Sequence, residues 1–138
     1  MNDVVKMLTD MATPLGVIFA GSQLWISQRQ ARTAFEDQLS SQYREIVRKL
    51  PIGAVLGDEL SDSDVLSALP DFLHYLDLCN EQAYLRKQRR VRKTTWKEWE
   101  EGIHQNLQRP AFARAWQIIA ARAPNNFDEL RAVSPPRI

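Results

Sequence analysis

The chain has 138 residues, of which 44% are hydrophobic, so it is long enough to form one folded domain with a substantial core. Its 18 basic residues nearly balance its 17 acidic ones, which excludes net charge as a general argument for nucleic-acid binding. A single cysteine, Cys79, excludes an intrachain disulfide and a cysteine-based zinc cage and is consistent with a reducing compartment. We expect Cys79 to be a small core residue. The sequence contains no Asn-Gly or Asp-Gly hairpin turn, so it predicts an all-α fold.

The first helical segment runs from Met7 to Ile26 and has about the 20-residue length of a bilayer-spanning helix. Asp10 makes it less apolar than an ordinary span and would have to lie near one end. Small and polar residues recur at steps of three and four, and the opposite side of the helix is broadly apolar. We predict that this stripe lines a helix–helix interface or a pore; it consists of Thr9, Thr13, Gly16, Ala20, Gln23 and Ser27.

These features predict a transmembrane helix over residues 1–28, with membrane lipid and further copies of the chain as its partners. Trp25 would mark the interface, and Arg29 and Arg32 outweigh Lys6, so the C-terminal part would face the cytoplasm from the inner membrane. The alternative is an amphipathic helix that docks on the rest of the protein or lies flat on a membrane. The protein would then be cytoplasmic rather than a single-pass membrane protein.

The helical pattern continues beyond the predicted span. Apolar residues at helical spacing run from Phe35 to Leu50, and Pro51 ends the pattern, so one long helix is expected to continue out of the membrane. Residues 52–60 are predicted to form a loop or a short turn. The Ser-Asp-Ser-Asp stretch that begins at Ser61 is a plausible N-cap for the next helix.

A second apolar stripe predicts a helix that runs to about Arg90, with Pro70 at a junction or in its first turn. The stripe consists of Leu66, Leu69, Leu73, Leu76, Cys79 and Ala83. Thr95 and Glu98 have the spacing of a capping box and predict the start of a further helix.

The last substantial helix is predicted to begin at Pro110 and to end at Pro124. Beyond it, residues 125–138 are expected to contain one helical turn and then a disordered Pro-Pro end. The chain is therefore predicted to comprise a transmembrane helix over 1–28, a helical cytosolic domain over 29–124 and a C-terminal tail over 125–138.

Basic residues are densest around the predicted end of the second helix and in the loop beyond it. Such a cluster favours phosphate contacts, which predicts binding of RNA, a nucleotide or anionic phospholipid headgroups. The alternative is a solvated turn that complements the negative end of a helix dipole. Trp96 and Trp99 lie close by, but their spacing fits a core stripe better than a stacking platform for bases. The predicted anion-binding residues are Arg86, Lys87, Arg89, Arg90, Arg92 and Lys93.

No catalytic or metal-binding pattern occurs in the sequence. Neither His74 nor His104 has a second histidine or a cysteine at the i,i+3 or i,i+4 spacing of familiar metal motifs. The Arg-x4-6-His spacing of many helical ribonucleases is absent before both histidines. No Ser-His-Asp order, phosphate-binding glycine loop or paired-carboxylate motif stands out. We therefore predict no catalytic residues, no metal and no cofactor, and a protein that is not an enzyme.

Three stretches resemble a loose class of small bacterial proteins in which a hydrophobic N-terminal membrane helix precedes a helical cytosolic domain. They are YLDLCNEQAYL from Tyr75, TWKEWEEGI from Thr95 and RPAFARAW from Arg109. The resemblance covers most of the chain, rests mainly on packing residues and implies no catalytic role. The layout is also distantly similar to the membrane accessory proteins of type VI CRISPR systems, which oligomerise through a membrane helix below a helical domain. That similarity is architectural only.

The leading functional hypothesis is an oligomeric single-pass membrane protein whose cytosolic helical domain responds to a partner or ligand. The small and polar stripe of the first helix motivates this hypothesis, which extends to a membrane-perturbing or accessory effector in phage defence. The alternative is a soluble helical interaction module that binds RNA or a protein partner, with the first helix completing the core or a dimer interface. A third hypothesis, a helical nuclease, would require His74 or His104.

Overall fold

The protein is all-α over the residues that the structure describes, with no strand among residues 2–138. The structure is a computed structural model that describes the backbone of residues 2–138 and the side chains of residues 3–6 and 17–138. The all-α prediction is confirmed. In chain order, the helices are α1 (Asn2–Lys49), α2 (Ile52–Leu56), α3 (Asp62–Ser67), α4 (Leu69–Lys87), α5 (Lys93–Gln108), α6 (Pro110–Arg122) and α7 (Asp128–Val133).

The chain divides into two compact units, with the boundary between Phe35 and Glu36. The first unit consists of the N-terminal part of α1, residues 2–35, which we call the arm. Every side chain described between residues 3 and 34 is exposed. The second unit, Glu36–Ile138, contains the last turns of α1 and all the other helices.

The predicted transmembrane helix over residues 1–28 is not supported by the structure. No helix in the described part of the chain contains an apolar stretch long enough to cross a membrane. Polar residues interrupt the apolar run, with glutamines at positions 23, 28 and 30 and arginines at 29 and 32. Charged side chains are costly in the centre of a bilayer, so this mixture disfavours a span among the residues described.

Local sequence signals set the boundaries around α2, α3 and α4. Helix α1 ends at Lys49, next to Pro51, as predicted. The short helix α2 lies within the segment predicted as a loop or turn and ends at Gly57, whose φ of +90° favours glycine. Ser61 caps α3, as predicted, because its side chain accepts a hydrogen bond from the Asp64 N–H at 3.1 Å. Pro70 lies in the first turn of α4, also as predicted.

The predicted capping box of Thr95 and Glu98 is wrong. Helix α5 begins at Lys93, so Thr95 already lies inside the helix. The Thr95 hydroxyl donates instead to the carboxylate of Glu36 on α1, at 2.9 Å. A buried carboxylate brought close by the tertiary fold therefore replaces the local capping interaction.

Aromatic residues of α4 and α6 form the centre of the core of the second unit. Phe72 and Tyr75 each pack edge-to-face on Phe112, with ring centroids 5.2 and 5.1 Å apart. All three side chains are almost completely buried, as is Trp116 one turn further along α6. Cys79 is buried beside them as a free thiol, which confirms its prediction as a core residue.

The C-terminal tail, residues 125–138, packs against the rest of the second unit instead of ending in disorder. Leu130 on α7 is completely buried, and the ring of Phe127 packs edge-to-face on Trp116 at 5.7 Å. The Trp116 Nε1–H donates to the Ser134 carbonyl oxygen at 2.9 Å. The packing of this segment was not predicted because two apolar residues three positions apart, Phe127 and Leu130, are too few to define a helical stripe.

Candidate functional site

The predicted anion-binding residues lie at the end of α4, in the loop that follows and at the start of α5. Two of them, Arg86 and Lys87, are bonded to other groups of the protein. The Arg86 Nη1–H donates to the Val91 carbonyl oxygen at 2.9 Å, which braces the loop. The ammonium of Lys87 lies 3.1 Å from the Glu129 carboxylate of α7. These cations therefore stabilise the second unit itself and are less available for a phosphate.

A third predicted anion-binding residue, Arg92, is bound to the buried carboxylate of Glu36. Glu36 is only 3% exposed, at the start of the second unit. The Arg92 backbone N–H donates to Oε1 at 3.0 Å, and its Nη2 donates to Oε2 at 2.6 Å. The Thr95 hydroxyl completes this group, which we call the Glu36 clamp: Glu36, Arg92 and Thr95. The clamp ties α1 to the first turn of α5 through charge-assisted hydrogen bonds.

The Glu36 clamp keeps its carboxylate ionised. Burial alone would raise the pKa of Glu36, but the hydrogen bonds from Arg92 and Thr95 outweigh burial and hold that pKa below its usual value. The same pairing raises the pKa of Arg92 through the hydrogen bonds to Glu36. The side chains of Glu36 and Arg92 therefore form a charged pair in the folded state.

We expect the contribution of the Glu36 clamp to stability to disappear in acid. Because the pKa of Glu36 is lower in the folded than in the unfolded chain, the clamp stabilises the fold above the unfolded pKa, and the effect is lost as pH falls through the folded pKa. The measurement is the melting temperature of wild type and Glu36→Gln from neutral pH to about pH 3. The difference should be largest near neutral pH and should shrink in acid. Glu45→Gln, at an exposed position of α1, is the control and should show no such convergence.

Two other predicted anion-binding residues, Arg89 and Lys93, are exposed. Arg89 has a positive φ of 59° in the loop, and Lys93 is the first residue of α5. Neither has an ion-pair partner among the described residues. Arg90 is exposed and has a contact of its own. Anion binding by this turn stays a prediction, with Arg89 and Lys93 as its most available cations.

The histidines do not come together in the fold. His74 is exposed on α4, and the Nε2 of His104 lies 3.8 Å from Glu100 on the same helix. Within the described residues, no three His, Cys, Asp or Glu side chains are placed to hold a metal ion.

The two tryptophans near the start of α5 have different surroundings. Trp96 packs against the core, whereas Trp99 lines a cavity between α1, α4 and α5.

The cavity beside Trp99 has a volume of about 300 Å³ and belongs entirely to the second unit. No pattern in the sequence predicted this cavity. Two signals could have pointed to it: Gly102 in the middle of α5, and Gln82 among the apolar residues of α4. A glycine inside a helix and a polar residue on its buried face both lower stability, so each requires a packing or functional reason.

The arm exposes two apolar segments, Val17–Phe19 and Leu24–Ile26. In the first segment, 67–68% of each side chain is exposed. Consecutive residues of an α-helix point about 100° apart, so three in a row cover three directions around the axis. The predicted stripe residues Ala20, Gln23 and Ser27 are exposed on the remaining side. The other predicted stripe residues, Thr9, Thr13 and Gly16, lie outside the residues whose side chains the structure describes.

The chain matches no protein-family model, no curated protein and no solved structure. The resemblance to small bacterial membrane proteins therefore stays a prediction based on the residues that suggested it. The candidate sites of this protein are the exposed arm, the basic turn and the cavity, and each is defined by its own geometry.

Proposed function

We propose that this protein is a non-enzymatic assembly protein whose arm associates with the arms of further copies of the chain. The observation that carries the proposal is the exposure of the two apolar segments, 17–19 and 24–26, around the arm. A helix that is apolar on most sides is normally buried by neighbours. Contiguous apolar surface left exposed on a single chain marks an interaction site.

Further copies are the partner that the arm fits best. The two apolar segments lie seven residues apart, which corresponds to two helical turns and to the repeat of helices packed side by side. Ala20 and Gly21 lie between them, and a Cβ added at Gly21 would meet no atom within 4 Å. Small residues at this level allow neighbouring helices to approach closely. Because the apolar residues point in several directions, a bundle of several arms would cover them better than a pair.

The test is the mass of the full-length protein in solution, measured by light scattering during size-exclusion chromatography. Wild type should form oligomers, and Phe19→Glu combined with Leu24→Glu should be monomeric, because two buried charges would face each interface. Gln28→Glu with Gln30→Glu is the matched control: it adds the same charges to the same arm beyond the apolar segments, and it should retain oligomers. A monomeric wild type, with or without detergent, would overturn the proposal.

A lipid surface is the second candidate partner of the arm. Trp25 is exposed, and the Arg29 guanidinium lies 5.5 Å from the centre of its ring. An amphipathic aromatic residue beside basic residues is typical of a membrane interface. Co-flotation of wild type with lipid vesicles, lost in Phe19→Glu/Leu24→Glu, would support this candidate. A single-pass location in the inner membrane and a role in phage defence stay predictions from the sequence.

Binding of RNA by the basic turn has less support than assembly through the arm. Arg86, Lys87 and Arg92 are engaged within the second unit, so about half of the predicted phosphate contacts would first have to break. Each phosphate contact that is lost weakens nucleic-acid binding and its salt dependence.

A further inference from the structure

The cavity between α1, α4 and α5 has the size and lining of a small-molecule site. Its volume of about 300 Å³ is at the lower end of the range for ligand pockets. Aromatic side chains from all three helices line it: Tyr43 from α1, Tyr75 from α4 and Trp99 from α5. Polar groups are few, which is typical of pockets that bind a mainly apolar ligand in one orientation.

Gly102 keeps the cavity open. It lies inside α5, where alanine would form a more stable helix. A Cβ added at Gly102 would meet no atom within 4 Å, so neither close packing nor the backbone requires glycine here. Gly102 is also one of the residues that line the cavity. The glycine is therefore explained by the room that it leaves for another molecule.

Gln82 provides a polar group that opens onto the cavity and has no protein partner. Every fully buried side-chain nitrogen or oxygen among the described residues is hydrogen-bonded, so the unpaired amide of Gln82 must reach an accessible surface. Its side chain is 4% exposed and lines the cavity from α4. Its amide forms no hydrogen bond with the residues that the structure describes. An accessible amide without a protein partner can bond either water or a ligand in the cavity. The amide carries both a donor and an acceptor, so it suits a ligand with an N–H or O–H on its edge.

The other polar groups on the inner wall are already satisfied or neutral. The Tyr75 hydroxyl accepts from the Asn106 Nδ2–H at 2.8 Å. Burial raises the pKa of the Cys79 thiol to about 12, so it stays protonated at neutral pH. Gln82 is therefore the group on this wall with unused hydrogen-bonding capacity.

Two groups of opposite charge lie on the outer part of the cavity lining, Arg44 on α1 and Glu98 on α5. Both are exposed, and in the part of the chain that the structure describes neither has an ion-pair partner. They do not pair with each other. The cavity thus presents a guanidinium for an anion, a carboxylate for a cation, and an aromatic interior between them.

We infer that the cavity binds a small aromatic zwitterion, an aromatic amino acid or a close derivative of one. The ring lies among Tyr75 and Trp99, and its polar edge bonds the Gln82 amide. The ligand carboxylate pairs with Arg44, and its ammonium group pairs with Glu98. This one class of ligand uses the apolar interior, the Gln82 amide and both charges.

Calorimetric titration of the full-length protein with L-tryptophan, tryptamine, indole-3-propionate and indole tests the inference. L-Tryptophan should bind most tightly, and loss of either charged group should weaken binding by about tenfold. Arg44→Gln should weaken L-tryptophan and indole-3-propionate but not tryptamine. Glu98→Gln should weaken L-tryptophan and tryptamine but not indole-3-propionate.

Matched variants on α5 separate the cavity from any other site. Gly102→Leu fills the cavity and should abolish binding of L-tryptophan. Glu101→Leu adds the same side chain at the neighbouring exposed position and should bind as wild type does. Gln82→Leu is the second test of the cavity, to be used if Gly102→Leu does not fold. It removes the amide from the cavity wall and should weaken binding of L-tryptophan by about tenfold. Failure of all four compounds to bind at millimolar concentration, or equal binding by both leucine variants on α5, would overturn the inference.

Discussion

Leu130→Ala is expected to lower the free energy of unfolding by about 2–5 kcal/mol. Leu130 has no exposed surface, and its backbone N–H donates to the Asn80 side-chain oxygen of α4 at 3.0 Å. Truncation would leave a cavity in the core and loosen the attachment of α7. A loss of this size is a large part of the stability of an ordinary domain.

Urea denaturation followed by circular dichroism measures the effect of Leu130→Ala. Ile138→Ala, which removes an exposed aliphatic side chain from the same tail, is the matched control and should leave stability unchanged. Tryptophan fluorescence is a second readout. The Trp116 indole N–H donates to the Ser134 carbonyl oxygen, so the fluorescence of Trp116 should change if the tail detaches early. Equal stability of the two variants would show that the tail contributes nothing to the core.

Glu36→Ala should lower the free energy of unfolding by about 2 kcal/mol at neutral pH. The substitution removes the acceptor of the Arg92 backbone N–H, of the Arg92 guanidinium and of the Thr95 hydroxyl. The loss should be smaller than for a fully buried ion pair, because the Arg92 side chain is 46% exposed and water can solvate it once it is released.

Hydrogen exchange locates the effect of Glu36→Ala. Amides in the first turn of α5 should exchange faster, whereas those of α6, which lies outside the Glu36 clamp, should change only as global stability changes. Glu45→Ala removes an exposed carboxylate from the same helix and should leave both the exchange and the stability of the protein as in wild type. Unchanged exchange at the start of α5 would contradict the role of the clamp.

Helix boundaries were predictable where a local residue dictates them. Pro51 ends α1 and Pro110 begins α6, because proline has a fixed φ and no N–H to donate. Ser61 caps α3 through its own side chain, which needs nothing beyond the next three residues.

The apolar stripe predicted for α4 was confirmed at Leu76, Cys79 and Ala83. It was wrong at Leu66 and Leu73, which are exposed, while Phe72 and Tyr75 occupy the core instead.

The candidate sites were less predictable, because residues far apart in the chain form them. Arg92 belonged to the densest basic cluster in the sequence, yet its partner is Glu36, 56 residues earlier. The cavity depends on side chains from three helices, so Gln82 and Gly102 became informative only when the fold placed them along the same space.

By itself, the sequence determined the helical class, the main breaks between helices and part of the core, since these follow from backbone chemistry and from the spacing of apolar side chains. Only the tertiary structure decided that Thr95 bonds Glu36 instead of capping its own helix, that α7 completes the core, and that Gln82 lines a cavity between three helices. These outcomes depend on which distant groups meet in a low-dielectric interior, where a pairing or its absence has the largest energetic consequence.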